Sequence, residues 1–124
     1  MNRIIIIFIF VIIFFTLPLP ANAQVVINEF YSKTPEWVEF YNSGSSSENL
    51  SSYYFDDDTD FNSDSGSSTK INLQGVLSPG GMCYWELTTY LNDGGDSPTI
   101  FDNPGSLKDT YTYASSSAEF SYSR

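Results

Sequence analysis

The sequence contains no histidine. This absence excludes the Ser-His-Asp and Cys-His nucleophile systems, and it removes the commonest zinc ligand. Serine is abundant, but the only candidate bases that could activate it are carboxylates, Lys70 and Lys108. We therefore predict that the chain is not an enzyme, and in particular that it is not a hydrolase of the ordinary type.

Cysteine is almost as scarce, because Cys83 is the only one in the chain. A single cysteine excludes an intramolecular disulfide, so the fold must depend on its hydrophobic core. Ten Phe, nine Tyr and two Trp provide large apolar side chains for that core. The apolar neighbours Met82, Tyr84 and Trp85 predict that Cys83 is a buried strand thiol and not a reactive one.

Basic residues are also few. Five Lys and Arg stand against fifteen Asp and Glu, for a formal net charge of -10. Such a charge repels phosphate backbones, because nucleic-acid affinity comes mainly from Lys and Arg that displace counterions. We predict no direct binding to nucleic acid, and the simplest role of the acidity is to keep the protein soluble.

The longest apolar run lies at the N-terminus. Arg3 precedes a run over residues 4–17 that only Thr16 interrupts, and Ala21-Asn22-Ala23 forms an A-x-A cleavage signal. The run is shorter than the roughly 20 residues that span a bilayer. It predicts a signal-peptide helix over residues 1–23 and a single domain over 24–124, either secreted or held in the cell envelope. The alternative is an uncleaved anchor, which would be the only contact with a membrane.

No segment after residue 23 has the apolar period of a helix. Short runs rich in Val, Ile, Phe, Tyr and Thr alternate with Gly, Asn, Asp, Ser and Pro, which is typical of an all-β sandwich. The predicted strands cover 25–31, 36–41, 50–55, 70–76, 82–87, 97–101 and 109–113. We therefore predict an all-β sandwich of about seven strands.

The strand over 36–41 has a clear period of two. Val38 and Phe40 share one face, which we assign to the core, while Trp37, Glu39 and Tyr41 share the other. Trp37 then either packs on a neighbouring strand or forms part of a binding surface.

The acidic residues suggest two kinds of site. In the loop over 56–64, the spacing of Asp60, Asn62 and Asp64 approaches that of calcium ligands, but the glycine is one residue late and no closing carboxylate follows. A solvated loop without a cofactor is the favoured interpretation. Calcium is the alternative, for which the weak metal candidates are Asp56, Asp58, Asp60 and Asp64. The strand carboxylates, which we expect to face solvent, are Glu29, Glu36, Glu39 and Glu86.

The segment LNDGGDSPTIFDNPG over 91–105 has two alternative interpretations: a loop that binds a ligand, or two turns that only connect strands. The architectural interpretation is favoured: 93–96 supplies residues with positive φ, and 102–105 forms the next hairpin turn. Asp96 is expected to bind the turn backbone and not a metal.

Six motifs, in order, resemble the lamin-tail domain family in its exported prokaryotic form. They are VVINEF at 25–30, EWVEFYNSG at 36–44, NLSSYYFDD at 49–57, LSPGGM at 77–82, LNDGGDSPTIFD at 91–102 and DTYTY at 109–113. The resemblance implies an immunoglobulin-like β-sandwich without catalytic residues. It implies turns at Gly80, Gly81, Gly94 and Gly95, and a core made of Ile27, Val38, Phe40, Leu50, Tyr53, Phe55, Leu77, Leu91 and Ile100.

Two departures from the family pattern carry further expectations. Pro98 stands where a β-branched residue is usual, so its strand should lie at an edge or contain a bulge. Ser121-Tyr122-Ser123-Arg124 resembles the beginning of a motif that the family usually continues, so one interpretation is that the domain over 24–124 is truncated at its C-terminal end.

Three functional hypotheses follow. The first is a non-catalytic exported module of the lamin-tail type that binds a protein or cell-envelope component. The second is a calcium-dependent adhesion module that uses the loop over 56–64. The third is a fragment or detached accessory domain of an exported hydrolase.

Overall fold

The computed structural model describes residues 24–63 and 69–124, so the predicted signal peptide and Asp64 lie outside it. In chain order the elements are β1 Val25–Tyr31, β2 Glu36–Asn42, β3 Glu48–Asn49, a 3₁₀ turn Leu50–Ser52, β4 Tyr53–Asp56, β5 Ile71–Asn72, β6 Val76–Leu77, β7 Met82–Leu87, β8 Thr99–Asp102, β9 Leu107–Thr110 and β10 Tyr122–Ser123. Across these two ranges, no helix has the length and apolarity needed to span a membrane.

The strands form two four-stranded antiparallel sheets. The first sheet has the order β10-β1-β2-β7, and the second has the order β5-β4-β8-β9. β3 and β6 form a separate two-stranded sheet, which we call the side ribbon. This is an immunoglobulin-like β-sandwich, as the sequence predicted.

The core lies between the two sheets. Phe40 of β2 meets Phe55 of β4 edge to face, with ring centroids 5.6 Å apart. The core face of β2 is the predicted one, because Val38 and Phe40 are fully buried. All nine core residues that the family resemblance implied are buried: Ile27, Val38, Phe40, Leu50, Tyr53, Phe55, Leu77, Leu91 and Ile100.

Strands with strong alternation were predicted well, and four others were not. The strands predicted over 97–101 and 109–113 are β8 Thr99–Asp102 and β9 Leu107–Thr110. The strand predicted over 50–55 begins instead with a 3₁₀ turn, since Asn49 caps it by accepting a bond from the Ser51 N–H at 3.1 Å. The strand predicted over 70–76 is really β5 and β6, which belong to different sheets. Gly75, with φ of +105°, separates them.

Pro98 does not lie at a sheet edge, so that alternative is wrong. It immediately precedes β8, which is an interior strand of the second sheet. The ladder continues past it because Tyr111 N–H donates to the Pro98 carbonyl at 3.0 Å, and Ser97 N–H donates to the Asp57 carbonyl at 3.1 Å. A bulge does occur in β8, between Ile100 and Phe101, so the second alternative is confirmed for the strand.

Cys83 lies directly opposite Phe40 and packs against the core from β7. It is partly buried, because β7 is the last strand of the first sheet and leaves one side of the thiol less covered. Burial raises the pKa of the thiol, and the raised pKa disfavours the reactive thiolate.

Candidate functional site

The aspartates of the acidic loop bind their own backbone. The Asp60 N–H donates to Asp58 Oδ1 at 2.7 Å, and the Asn62 N–H donates to Asp60 Oδ1 at 3.0 Å. Such short-range bonds let Asp stabilise a turn without a metal. Asp58 and Asp60 therefore fix the conformation of the loop.

Asp56 is a different kind of group, because it ends β4 and is fully buried. Its Oδ1 accepts a bond from the Asp57 N–H at 2.9 Å and one from the Tyr90 hydroxyl at 3.3 Å. Its Oδ2 is buried and has no hydrogen-bond partner. Burial, opposed by the bond from the Asp57 N–H and reinforced by the negative charge of Asp58, raises the pKa of Asp56 to about 7.

The acidic loop does not supply a metal site from its described part. Within residues 24–63 and 69–124, no three Asp, Glu or Cys side chains are grouped so that they could hold a metal ion. Of the four weak candidates, Asp56 is buried in the second sheet, Asp58 and Asp60 bind backbone N–H groups, and Asp64 lies outside the described residues.

Glu36 was predicted to face solvent, and this was wrong. It shares the core face of β2 with Val38 and Phe40, and only 6% of it is exposed. Its Oε2 accepts bonds from the N–H groups of Tyr90 at 2.7 Å and Leu91 at 2.9 Å. A buried carboxylate is tolerable here because two backbone donors satisfy it.

The turn that begins the segment LNDGGDSPTIFDNPG is held by Asp96. Its Oδ2 accepts a bond from the Asn92 N–H at 3.0 Å, and its Oδ1 accepts one from the Ser97 N–H at 3.0 Å. The prediction that Asp96 binds the turn backbone is confirmed. Gly95 has a φ of +123° and Asp93 forms an ion pair with Lys33 at 2.7 Å, so both support the architecture of this turn.

The solvent side of the first sheet carries a row of aromatic rings. Tyr31 of β1 stacks on Trp37 of β2 with ring centroids 6.4 Å apart, and Trp37 contacts Tyr84 of β7 at 5.5 Å. Tyr84 is 52% exposed because β7 is an edge strand. Trp37 thus packs on both neighbouring strands, which was one of the two predicted alternatives.

Three glutamates alternate with these rings. Glu29 lies directly opposite Glu39 across β1 and β2, Glu39 lies opposite Tyr84 across β2 and β7, and Glu86 lies opposite Trp37. We call this surface the outer face and define it by Glu29, Tyr31, Trp37, Glu39, Tyr84 and Glu86. It combines flat apolar rings with negative charge on a rigid sheet.

A groove extends the outer face towards β10. It has a volume of about 370 Å³ and is bounded by Tyr31, Trp37 and the segment over 118–121. Phe120, in that segment, is 60% exposed. Aromatic and apolar groups therefore continue from the β7 edge to the opposite edge of the first sheet.

Four members of the outer face were predicted from the sequence to face solvent, namely Trp37, Glu29, Glu39 and Glu86, but Tyr31 and Tyr84 were not assigned to it. The period of two within β1 and β7 was a usable signal, since it separates Tyr31 from Phe30 and Tyr84 from Cys83. The register that sets Tyr31 beside Trp37 depends on the bulge near Asn28, where pairing shifts between Ile27 and Glu29. No local pattern revealed that shift.

Comparison with protein families gave one match. The family model described as Lamin Tail Domain matches residues 18–115. The described structure extends past residue 115 and includes β10, which pairs with β1. Comparison with curated proteins gave no match, and comparison with solved structures gave none either. The match spans most of the sequence and agrees with the immunoglobulin-like sandwich, so the chain belongs to the lamin tail domain family.

Proposed function

We propose that this lamin tail domain is a non-catalytic exported module that binds a protein or another component of the cell surface through its outer face. The observation that carries the proposal is the aromatic row of Tyr31, Trp37 and Tyr84 on a solvent-facing sheet. Rigid aromatic rings bind partners at low entropic cost, and they are enriched at the centres of protein interfaces. The signal peptide predicted over 1–23 supports export.

The carboxylates of the outer face fit recognition better than catalysis. Glu29 and Glu39 lie directly opposite each other in the pairing of β1 and β2. Asn28 Nδ2 donates to Glu39 Oε1 at 2.6 Å, and the Ser121 hydroxyl donates to Glu29. Each carboxylate is thus oriented by a neutral donor, whereas the buried strand carboxylate, Glu36, accepts bonds from the N–H groups of Tyr90 and Leu91.

Binding to the surface of source-organism cells tests the proposal. The protein is purified after expression of the full chain, and its binding to intact cells is compared with that of Trp37→Ala combined with Tyr84→Ser. Val76→Ala is the matched control, because Val76 is 71% exposed but lies on β6 in the side ribbon. We expect at least ~10-fold weaker binding for the double variant, as for loss of interface anchors, and no change for the control. Equal binding by all three proteins contradicts the proposal.

One observation favours the calcium alternative as a second candidate. The buried Asp56 Oδ2 has no hydrogen-bond partner, and a cation would satisfy it. Thermal unfolding with and without millimolar calcium decides this alternative. A rise in Tm that Asp56→Asn abolishes supports it, and an unchanged Tm contradicts it.

A further inference from the structure

We infer that the outer face binds an extended polypeptide segment rich in lysine or arginine. This inference rests on the proposed function and names the chemistry of the partner. It follows from the charge of the outer face, from the positions of the basic residues of the described chain, and from the pairing of Trp37 and Tyr84 with carboxylates.

The outer face contains a charge pair that no cation of the described residues neutralises. Glu29 and Glu39 lie directly opposite each other in the ladder between β1 and β2. Like charges at directly opposed positions destabilise a sheet. Their hydrogen bonds from Asn28 and the Ser121 hydroxyl orient the carboxylates but bring no positive charge. A cation from a partner would remove the repulsion and would gain binding energy from both glutamates.

The basic residues of the described chain all interact with groups outside the outer face. Three of them form ion pairs with aspartates, namely Lys33 with Asp93, Lys108 with Asp102 and Arg124 with Asp109. The fourth, Lys70, lies over the Phe61 ring at 5.1 Å from its centroid. Among residues 24–63 and 69–124, no ion pair involves a glutamate of the outer face. Its negative charge is therefore available to a partner.

Two rings of the outer face each lie beside a carboxylate. Glu86 lies opposite Trp37, and Glu39 lies opposite Tyr84. A lysine ammonium or an arginine guanidinium placed over either ring gains a cation–π contact and has a carboxylate within reach. Arginine suits the site especially well, since its planar group can stack on a ring while it donates to a carboxylate.

The same charges disfavour other occupants. A second copy of this chain would bring its own net charge of -10 against an acidic face. Nucleic acid is repelled for the same reason. A neutral polysaccharide could stack on the rings, but it would gain nothing from the opposed glutamates, so we make it an outcome of the test.

The test uses three probes against the protein purified from full-chain expression, with affinity measured by calorimetry at low and high salt. The first is a Lys-Ser repeat peptide of about eight residues, which when extended is longer than the roughly 14 Å across the four strands of a sheet. The second is a Glu-Ser peptide of the same length, and the third is a neutral oligosaccharide, cellohexaose.

Two double variants separate specific binding from general attraction. Glu39→Gln with Glu86→Gln removes two charges from the outer face, and Asp58→Asn with Asp60→Asn removes two from the acidic loop. We expect the Lys-Ser peptide to bind, with affinity falling as salt rises. The outer-face variant should bind it ~5- to 20-fold more weakly, as for the loss of two exposed ion pairs, and the loop variant should bind it about as well as the unchanged protein.

Equal weakening by the two double variants, or no binding of the Lys-Ser peptide, overturns the inference. Binding of cellohexaose that depends on Trp37, without binding of the peptide, also overturns it and points to a polysaccharide. In either case the proposed function stands if cell binding still depends on Trp37 and Tyr84. If cell binding does not depend on them, the proposed function fails as well.

Discussion

The buried Asp56 predicts an unusual dependence of stability on pH. The pKa of its carboxyl rises from 3.8 to about 7 on folding, chiefly because of burial. The folded protein therefore binds a proton that the unfolded chain releases between these two values. The stability from this group is fully present below pH 3.8 and is lost as the pH rises through 7.

The magnitude follows from that difference in pKa. A difference of about 3 corresponds to ~4 kcal/mol at 1.36 kcal/mol for each pKa unit. Asp56 borders the acidic loop, where water and relaxation of the chain weaken the penalty for burying a charge. We expect about half of that maximum, ~2 kcal/mol, to be lost between pH 4.5 and pH 8.5.

Asp56→Asn isolates this contribution from the many other carboxylates. Asparagine keeps an acceptor for the Asp57 N–H and the Tyr90 hydroxyl but does not titrate. Its amide N–H group takes the place of the unpartnered Oδ2, which adds a cost that does not depend on pH. The informative quantity is therefore how the difference between variant and wild type changes with pH.

The assay is urea unfolding of both proteins at pH 4.5 and pH 8.5, with the free energy of unfolding taken from midpoints and slopes. We expect the variant to gain ~2 kcal/mol relative to wild type between the two pH values. Asp60→Asn, in the exposed part of the loop, is the control and should show little change. A difference between Asp56→Asn and wild type that is the same at both pH values refutes the reasoning.

Three further predictions concern the fold. Phe40→Ala should cost ~3 to 5 kcal/mol of unfolding free energy, because the side chain is fully buried against Phe55. Denaturant midpoints within error of wild type would show that the core and solvent faces of β2 are assigned the wrong way round. Glu36→Gln should lower the free energy of unfolding by ~1 to 3 kcal/mol at pH 7, because it weakens the bonds from the N–H groups of Tyr90 and Leu91. Glu86→Gln is the exposed control and should change the free energy of unfolding little. Gly95→Ala should lower Tm, because Gly95 has a φ of +123° and an added Cβ would lie 2.8 Å from the Tyr113 carbonyl oxygen. Gly94→Ala is the control, because its Cβ would meet no atom within 4 Å. Equal changes in Tm for the two variants would contradict this account of the turn.

The parts of the fold that could be predicted are those in which local alternation and long-range packing agree. β1 and β7 were predicted with their observed bounds, and β2 was predicted one residue short. Their strong period of two also assigned Val38 and Phe40 to the core. The lamin-tail motifs added core positions such as Leu91, which lies outside any strand and has no periodic signal of its own.

The parts that could not be predicted depend on partners distant in sequence. β10 has only two residues, and it exists because Tyr122 stacks on Phe30 of β1 with ring centroids 5.0 Å apart. β5 has two residues, and its pairing with β4 continues in the same register for one more position, where the Leu73 N–H donates to the Tyr53 carbonyl at 3.0 Å. The burial of Glu36 likewise depends on two N–H groups more than fifty positions away.

Only part of the outer face could be predicted from the sequence, because the rest depends on which residues of neighbouring strands lie opposite each other. The alternation in β2 puts Trp37 and Glu39 on the solvent side, but only the strand register places Tyr84 next to both of them. The opposition of Glu29 and Glu39 depends on the bulge in β1, which shifts the register by one residue after Ile27. Without the bulge these two charges would not face each other.

Site-specific photo-crosslinking tests the central claim most directly. A photoreactive phenylalanine analogue replaces Tyr84 on the outer face or Val76 on β6, in the full chain expressed in its own cells. The account predicts a discrete adduct from position 84, absent from position 76, that disappears when Glu39 and Glu86 are also changed to Gln. Adducts from position 76 alone, or equal adducts from both positions, would contradict the assignment of the outer face as the binding surface.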